Sequence, residues 1–345
     1  MPSASLHGLD PLAALPGGDI GLLGESLFPP GPVPEVRIAG AAAPVLLASN
    51  RLLMARVPEG AVSGSVEMAL ASGPPLLSPL NLEVAVLIAE NLHPVCNPAF
   101  DPEGNIVVTL SGSRGQKTPV SLFRLDANYS LKAWSSAITN PSGLAFDRSG
   151  TLFASSRLDG AVYRVAANGT TSVHAESLGV ATGIAFDQND ELYVGDRSGT
   201  IFKIDREGKT FVFATLEPSI AAYHLAFGPD RFLYVSGPST SSYDAIWRIS
   251  PTGVVEPFFR GLGRPQGLAF DAQGALLIAA SYRGRRGIIR ITPAGDAACV
   301  VSGNNLVGLA FSPGARPALI LATNNALYNL AWPTPGLSLP PPPRA

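Results

Sequence analysis

The sequence is short of charge, of cysteine and of long apolar runs. Charged side chains make up 14% of the 345 residues and the net charge is −2, which gives no general reason to expect nucleic acid or an anionic membrane as a partner. Cysteine occurs twice, as Cys96 and Cys299, which says little about the redox compartment. No stretch is long enough to span a membrane, and no basic start followed by an apolar run marks a signal peptide.

Common catalytic motifs are also missing. The sequence has no Gly-x-Ser-x-Gly, no Cys-x-x-Cys, no His-Glu-x-x-His and no phosphate-binding glycine loop, so no established nucleophile or metal site can be read from local pattern. Glycine and proline, by contrast, are abundant, with 36 and 32 copies. They fall at turn positions between short apolar runs, which predicts an all-β fold.

A short motif, in which a phenylalanine precedes a turn, recurs six times. The phenylalanines are Phe100, Phe146, Phe186, Phe227, Phe270 and Phe311, separated by 46, 40, 41, 43 and 41 residues. Each copy reads as four short strands; in the second copy they are Gly143–Phe146, Leu152–Ala154, Val162–Val165 and Thr170–His174. A four-stranded unit of this length, repeated radially, predicts a six-bladed β-propeller.

The two ends of the repeat region are complementary. The sixth copy has three strands and then stops at Pro333, whereas an unpaired β-rich run, Glu83–Glu90, precedes the first copy. We expect this run to pair beside Ala326–Leu330 and complete the last blade, because a closed ring leaves no open sheet edges. The predicted propeller therefore spans residues 83–332, followed by a proline-rich tail at 333–345.

Residues 1–80 lack the repeat and predict a small β-sandwich. Short β-like runs alternate there with turn signals such as Pro16-Gly17-Gly18. With Val36–Gly40 and the Val57–Ala61 run, this region resembles the IPT/TIG immunoglobulin-like family. Residues 83–332 resemble the NHL-repeat and gluconolactonase-like group of propellers, whose shared pattern is Pro-x-Gly-Leu-Ala-Phe-Asp. The resemblance implies a bacterial protein exported to the periplasm or the cell exterior.

Side chains around one end of the central channel form the candidate site. The positions four residues before each repeat phenylalanine should line this mouth; they are Cys96, Ser142, Thr182, Tyr223, Gln266 and Val307. Enzymes of the gluconolactonase-like group, by the resemblance, hold a divalent metal there with Asp, Asn and Glu ligands. This ring has none of these residue types, so we expect no cofactor, since Ca²⁺ and Mg²⁺ need several carboxylate or amide oxygens.

The next position is glycine in four copies, and Asn97 and His224 replace it in the other two. His224 could act as a general base or metal ligand, or be a hydrogen-bonded histidine between blades. Arginines recur in the loops between the second and third strands: Arg114, Arg157, Arg197 and Arg283. They suit an anionic ligand, unless Asp159, Asp196 and Asp244 in the same loops neutralise them in ion pairs.

These observations favour a non-enzymatic binding module whose propeller mouth recognises a small polar or anionic ligand or a protein partner. The predicted ligand-binding residues are Asn97, Ser142, Arg157, Thr182, Arg197, Tyr223, His224, Gln266 and Arg283. The alternative is a gluconolactonase-like hydrolase or lyase with a degenerate metal site at His224 and Asn97 and a divalent cation as cofactor. A purely structural spacer is a third possibility, and RNA binding ranks last because the charge balance is near neutral.

Overall fold

The protein is an all-β chain. A computed structural model describes residues 4–28, 30–71, 73–113, 115–314 and 316–337; all regular elements among them are strands, arranged in eight sheets. Over these ranges there is no helix that could cross a membrane. Of the predicted proline-rich tail, residues 338–345 lie outside the described residues.

Six of the sheets correspond one to one to the six copies of the repeat, and we number them as blades 1 to 6. Blade 1 comprises Ala99–Phe100, Ile106–Thr109, Leu122–Leu125 and Leu131–Ser135; blade 2 comprises Pro141–Phe146, Leu152–Ser156, Ala161–Val165 and Thr171–Ala175. Blade 3 comprises Ala181–Phe186, Leu192–Asp196, Thr200–Ile204 and Thr210–Thr215; blade 4 comprises His224–Phe227, Leu233–Ser236, Asp244–Ile249 and Val255–Leu262. Blade 5 comprises Leu268–Phe270, Leu276–Tyr282, Arg285–Ile291 and Ala297–Ser302; blade 6 comprises Leu306–Phe311, Ala318–Thr323, Ala326–Ala331 and Val86–Glu90.

Burial within a blade follows strand position. The second strand is buried throughout, as in Leu152–Ser156 and Leu192–Asp196, because neighbouring blades cover both of its faces. The fourth strand lies at the outer edge and is largely accessible, as in Thr171–Ala175. Apolar β-branched and aromatic residues therefore dominate the inner strands, as expected for a fully covered sheet.

The N-terminal strand completes blade 6, but it begins later than expected. Val86–Glu90 pairs antiparallel with the third strand, with Glu90 opposite Ala326. Val84, which we expected in this pairing, lies opposite Ala14 in another sheet. The difference arises because Val84 is buried in the core of the N-terminal sandwich, so the chain changes sheets at Ala85.

The sixth blade also packs against the first. Ile106 and Val108 of blade 1 share a hydrophobic cluster with Ile320 and Leu327 of blade 6. The polar contact on the inner side is the Leu309 amide, which donates to Asn97 Oδ1 at 3.1 Å. Blade 6 therefore contacts blade 1.

The N-terminal region is a sandwich of two four-stranded sheets around one core. One sheet has the order Ser5–Asp10, Asp19–Glu25, Leu52–Arg56 and Val45–Ala48; the other has the order Ala41–Ala43, Glu35–Ile38, Val66–Ala69 and Leu76–Leu77. Leu22 and Leu53 of the first sheet pack with Ile38 and Met68 of the second. The core continues to Leu82 and Val84, beyond the predicted boundary at residue 80.

The sandwich is joined to blade 5 by backbone pairing. Ala13–Ala14 runs parallel to the outer strand of blade 5, with Ala14 opposite Ser302, and Glu83–Val84 pairs with Ala13–Ala14 in turn. Arg285 of blade 5 reinforces the contact through Asp10, donating from Nη1 to its carbonyl at 2.7 Å and pairing from Nη2 with its carboxylate at 3.0 Å. Because sheet hydrogen bonds connect the two domains, the sandwich is held beside the propeller mouth.

Candidate functional site

The inner strands of the blades present backbone edges to the channel. The first strand of each blade has only one partner in its sheet, and the first strands of blades 2, 3 and 4 contact one another in succession. Because side chains stand perpendicular to a sheet, side chains on these strands project mainly toward neighbouring blades. This arrangement decides which of the predicted mouth residues reach open space.

Three of the predicted residues are buried between blades. Ser142 Oγ donates to the carbonyl of Ala181 at 2.8 Å, and Thr182 Oγ1 donates to that of Gly195 at 2.8 Å. The Tyr223 amide donates to Thr182 Oγ1 at 3.1 Å, while the Tyr223 hydroxyl donates to the carbonyl of Glu217. All three side chains are therefore held between blades 2, 3 and 4. None of them lines the central cavity or the pocket described below, and their ligand-binding role stays a prediction.

Asn97 is held by two other blades. Its Nδ2 donates to the Leu268 carbonyl of blade 5 at 2.9 Å, and its Oδ1 accepts from the Leu309 amide of blade 6. A Cβ on Gly267 would collide with Asn97 Oδ1. The asparagine thus replaces glycine in blade 1 because it links three blades, and both of its amide atoms are occupied.

His224 lies on the first strand of blade 4 and lines a central cavity. Unlike Asn97, it forms no bond between blades, within the described part of the chain, that would explain why it replaces glycine. Its side chain is 3% exposed and makes no hydrogen bond with any residue that the structure describes. Burial lowers the pKa of this imidazole to about 4, because desolvation disfavours the charged form. His224 is therefore neutral near pH 7, with a donor and an acceptor available.

The depressed pKa of His224 predicts a pH-dependent stability. An unfolded chain binds this proton near pH 6.5, whereas the folded chain binds it only near pH 4. The free energy of unfolding therefore has its full value above about pH 6.5 and decreases as the pH falls toward 4, because protons then favour the unfolded chain. We expect wild type to lose on the order of 3 kcal/mol more than His224→Phe over this window. Urea unfolding of both proteins at pH 7 and pH 4 measures the difference; equal losses would contradict it.

The predicted loop arginines bind backbone carbonyls. Arg157 Nη2 donates to Gly112 O at 3.0 Å, and Arg197 Nη2 donates to Ile220 O at 3.1 Å. Burial and the nearby charge of Arg197 lower the pKa of Arg157. Arg283 is exposed and lies over the ring of Tyr282, 5.0 Å from its centroid, whereas Arg114 lies outside the described residues.

The aspartates of these loops are not the partners of the arginines, in contrast to the ion-pair alternative. Asp159 accepts from the Tyr163 hydroxyl at 2.6 Å. Asp196 accepts from the Val180 amide, and Asp244 from the Ser239 amide. Each carboxylate thus accepts a hydrogen bond from a group other than the described loop arginines. Of the predicted loop arginines that the structure describes, Arg157 and Arg197 instead donate to backbone carbonyls.

Gln266 opens onto a pocket between blades 5 and 6, which we call the mouth pocket. It has a volume of about 400 Å³, and its polar side chains include Arg264, Gln266, Arg286, Asn305 and Asn324. None of these five side chains forms a hydrogen bond or ion pair within the part of the chain described here, and no carboxylate of that part lines the pocket. The pocket is consequently positive and its hydrogen-bonding groups are uncommitted.

Sequence reasoning found only part of this pocket. Gln266 was predicted because it precedes the repeat phenylalanine, and here the first strand begins later, at Leu268, which leaves the glutamine in a connection. Arg264, Asn305 and Asn324 come from three different connections and were not predicted. Their common signal is that each lies in a connection at the mouth end of blade 5 or blade 6.

The side chains at the predicted degenerate metal site can be compared with what a divalent cation needs. No three His, Cys, Asp or Glu side chains converge within the described ranges. The two residues of the predicted degenerate site, His224 and Asn97, offer one free imidazole and one amide that already bonds two backbone groups. Hard cations need several oxygen ligands, so the donor set does not fit Ca²⁺ or Mg²⁺.

Comparisons with known proteins identify the fold. No known family model and no curated protein sequence matches the chain. Solved structures match it at low identity. One is a proposed gluconolactonase, which is 17% identical over 74% of this chain and 93% of that one, with a TM-score of 0.60. Another is the calcium-binding protein regucalcin of Agrobacterium tumefaciens, which is 19% identical over 74% of this chain and 96% of that one, with a TM-score of 0.59. An auxiliary nutrient binding protein of Bacteroides ovatus is 13% identical and matches 96% of this chain and 98% of its own, with a TM-score of 0.53.

These likenesses confirm the predicted propeller fold. At such identities they carry no information about chemistry. The IPT/TIG assignment of the sandwich and the exported setting stay predictions.

Proposed function

We propose that the protein is a non-enzymatic binding module that captures a small anionic, polyhydroxylated molecule in the mouth pocket. In this proposal the ring is a closed six-bladed propeller and the sandwich is an IPT/TIG-like domain fixed beside the mouth. The observation that carries it is the pair of arginines, Arg264 and Arg286, with three carboxamides in a recess where they have no internal partners. An auxiliary nutrient binding protein is among the structures with the same fold, which is compatible with such a role.

The arginines determine the charge of the ligand. A guanidinium presents a planar fork of donors that matches a carboxylate or phosphate bidentately. Arg264 is positioned through its backbone amide, which donates to Asp244 Oδ2 at 3.2 Å, so its side chain is left free. Two uncompensated positive charges in one recess favour an anionic group bound there.

The carboxamides determine the rest of the ligand. Gln266, Asn305 and Asn324 each offer both donors and an acceptor, which is the complement that hydroxyl groups need. At about 400 Å³, the pocket lies within the usual size range of small-molecule sites. A sugar acid combines the required charge, hydroxyl groups and size.

The sandwich supplies a wall of the same region. A second recess of about 610 Å³ shares Arg286 and Asn305 with the mouth pocket and is bounded on the other side by Asp19, Met54 and Arg56 of the sandwich. Arg56 is held by Asp19, with Nε to Oδ1 at 2.9 Å. A ligand longer than one sugar unit would therefore reach from the propeller to the N-terminal domain.

Titration calorimetry with D-glucuronate and D-glucose tests this proposal, because the two differ in the carboxylate. We expect wild type to bind glucuronate at least about tenfold more tightly. The double variant Arg264→Ala/Arg286→Ala should weaken glucuronate binding about 100-fold, since each lost charged hydrogen-bonded contact costs about a factor of ten. Arg157→Ala/Arg197→Ala should have a smaller effect, because those guanidinium groups already bind carbonyls.

A matched control removes the same charge elsewhere. Arg51 and Arg316 are exposed, so Arg51→Ala/Arg316→Ala should leave binding unchanged. If this control weakens binding as much as the mouth variant, the attraction is general electrostatics and the pocket is not the site. Absence of binding of both probes and of phosphorylated sugars would contradict the proposal altogether.

The hydrolase or lyase alternative is less well supported. It relies on a divalent cation at the channel, and the side chains at His224 and Asn97 do not form a ligand set.

A further inference from the structure

We propose a second binding site in the central cavity, where His224 holds a small, uncharged molecule through one hydrogen bond. The cavity lies among the first strands, toward their phenylalanine ends, and has a volume of about 570 Å³. It shares no lining residue with the mouth pocket. The proposal is therefore independent of the anionic ligand proposed above.

The central cavity offers no partner to a charged occupant. The residues that line it include Leu144, Ile184, Leu225, Leu268 and Leu309 from five different blades, whose backbone edges contribute to the lining along with apolar atoms. Among the described residues that border it, none carries an ionised side chain near pH 7. A charged group would lose its hydration there without gaining a partner, whereas apolar surface is stabilised by burial.

His224 departs from the repeat without a structural reason. Four of the six copies have glycine at this position, and the departure at Asn97 is accounted for by its bonds to Leu268 and Leu309. His224 is nearly fully buried yet bonds nothing in the described chain. Its ring nitrogens are not among the fully enclosed atoms that lack a partner, so they reach the open space of the cavity, where an entering molecule can bond them.

Access is from the face opposite the mouth. Ser312–Gly314 and Pro335–Leu337 border the cavity at that end. The second segment is fixed across blade 5, where the Leu337 amide donates to Phe270 O at 2.9 Å and the Ala272 amide donates to Pro335 O at 2.9 Å. A ligand would enter between these two segments and meet His224 at the inner end.

A matched pair of neutral probes tests the hydrogen bond. Displacement of the fluorescent dye N-phenyl-1-naphthylamine by 1-naphthol and by 1-methylnaphthalene compares molecules of similar shape with and without a hydroxyl. We expect saturable dye binding and about tenfold tighter binding of 1-naphthol to wild type. In His224→Leu the two probes should bind equally, because the acceptor is removed while the apolar surface is kept.

A second variant tests the location. Ala310 lines the cavity and is half-buried, so Ala310→Phe should fill the space and reduce dye affinity at least tenfold, with circular dichroism confirming the fold. The mouth variant Arg264→Ala/Arg286→Ala should bind the dye as wild type does. The proposal would be overturned if wild type showed no saturable dye binding, or if the preference for 1-naphthol persisted in His224→Leu. If Ala310→Phe does not fold, the comparison of the two probes in His224→Leu decides the proposal.

Discussion

Replacing Gly183 with alanine is expected to destabilise the propeller by about 3 kcal/mol, because a single methyl group would separate two blades. The Gly183 amide donates to the Tyr223 carbonyl of blade 4 at 2.8 Å. A Cβ on Gly183 would lie 2.8 Å from His224 Cα and closer still to the Tyr223 oxygen. These neighbours are backbone atoms, which cannot move aside as a side chain does, so the cost is at the upper end for overpacking.

Tryptophan fluorescence during urea unfolding measures this loss in the right domain. The chain has three tryptophans, Trp134, Trp247 and Trp332, and all lie after the sandwich. Gly8→Ala is the matched control, since Gly8 is also in a strand but a Cβ there would meet nothing within 4 Å. Circular dichroism should show Gly8→Ala within about 0.5 kcal/mol of wild type; a similar small change for Gly183→Ala would show that the blades can separate without cost.

The same contact explains why the repeat was readable in sequence. Glycine recurs one position after the mouth residue because first strands of adjacent blades approach closely enough for direct backbone bonds, as between Gly267 and Val307 at 3.1 Å. Phenylalanine and the following turn are likewise local signals, since each blade is built of consecutive hairpins. The blade number and the incomplete last blade could therefore be predicted from one chain.

The free side chains at the mouth could not be predicted in the same way. Ser142 and Thr182 lie inside their first strands, whereas Gln266 precedes its strand. Whether a side chain is open to the pocket is not decided by the strand bounds alone, since Tyr223 also precedes its strand and is nevertheless buried between blades. It is set by packing between blades, to which no local pattern corresponds. Val84 was misplaced for a related reason, because burial in a distant core competed with a favourable strand pattern.

The aspartate after the repeat phenylalanine is expected to matter most where it is fully buried. Asp271 is 0% exposed; its Oδ1 accepts from the amides of Gln273 at 2.9 Å and Ala275 at 2.8 Å, and its Oδ2 pairs with Arg290 Nη2 at 3.1 Å. Asp271→Ala would leave two amides without their acceptor and would leave the Arg290 guanidinium with only Gln273 Oε1, 3.1 Å from Nη2. We expect a loss of about 4 kcal/mol, as for other buried pairs deprived of one partner.

Other aspartates provide a graded comparison for this prediction. Asp101 has the same arrangement in blade 1, with Oδ2 3.0 Å from Arg124 Nη2, so Asp101→Ala should cost about as much as Asp271→Ala. Asp147 is half-buried and accepts from the Thr151 amide at 2.8 Å, so its replacement should cost about 1 kcal/mol. Asp296, exposed in blade 5, should be replaceable at almost no cost. Urea unfolding of the four variants measures this order of stability losses. The expected order arises because the cost depends on burying a carboxylate together with the donors that it satisfies. Equal losses at Asp271 and Asp296 would refute this explanation.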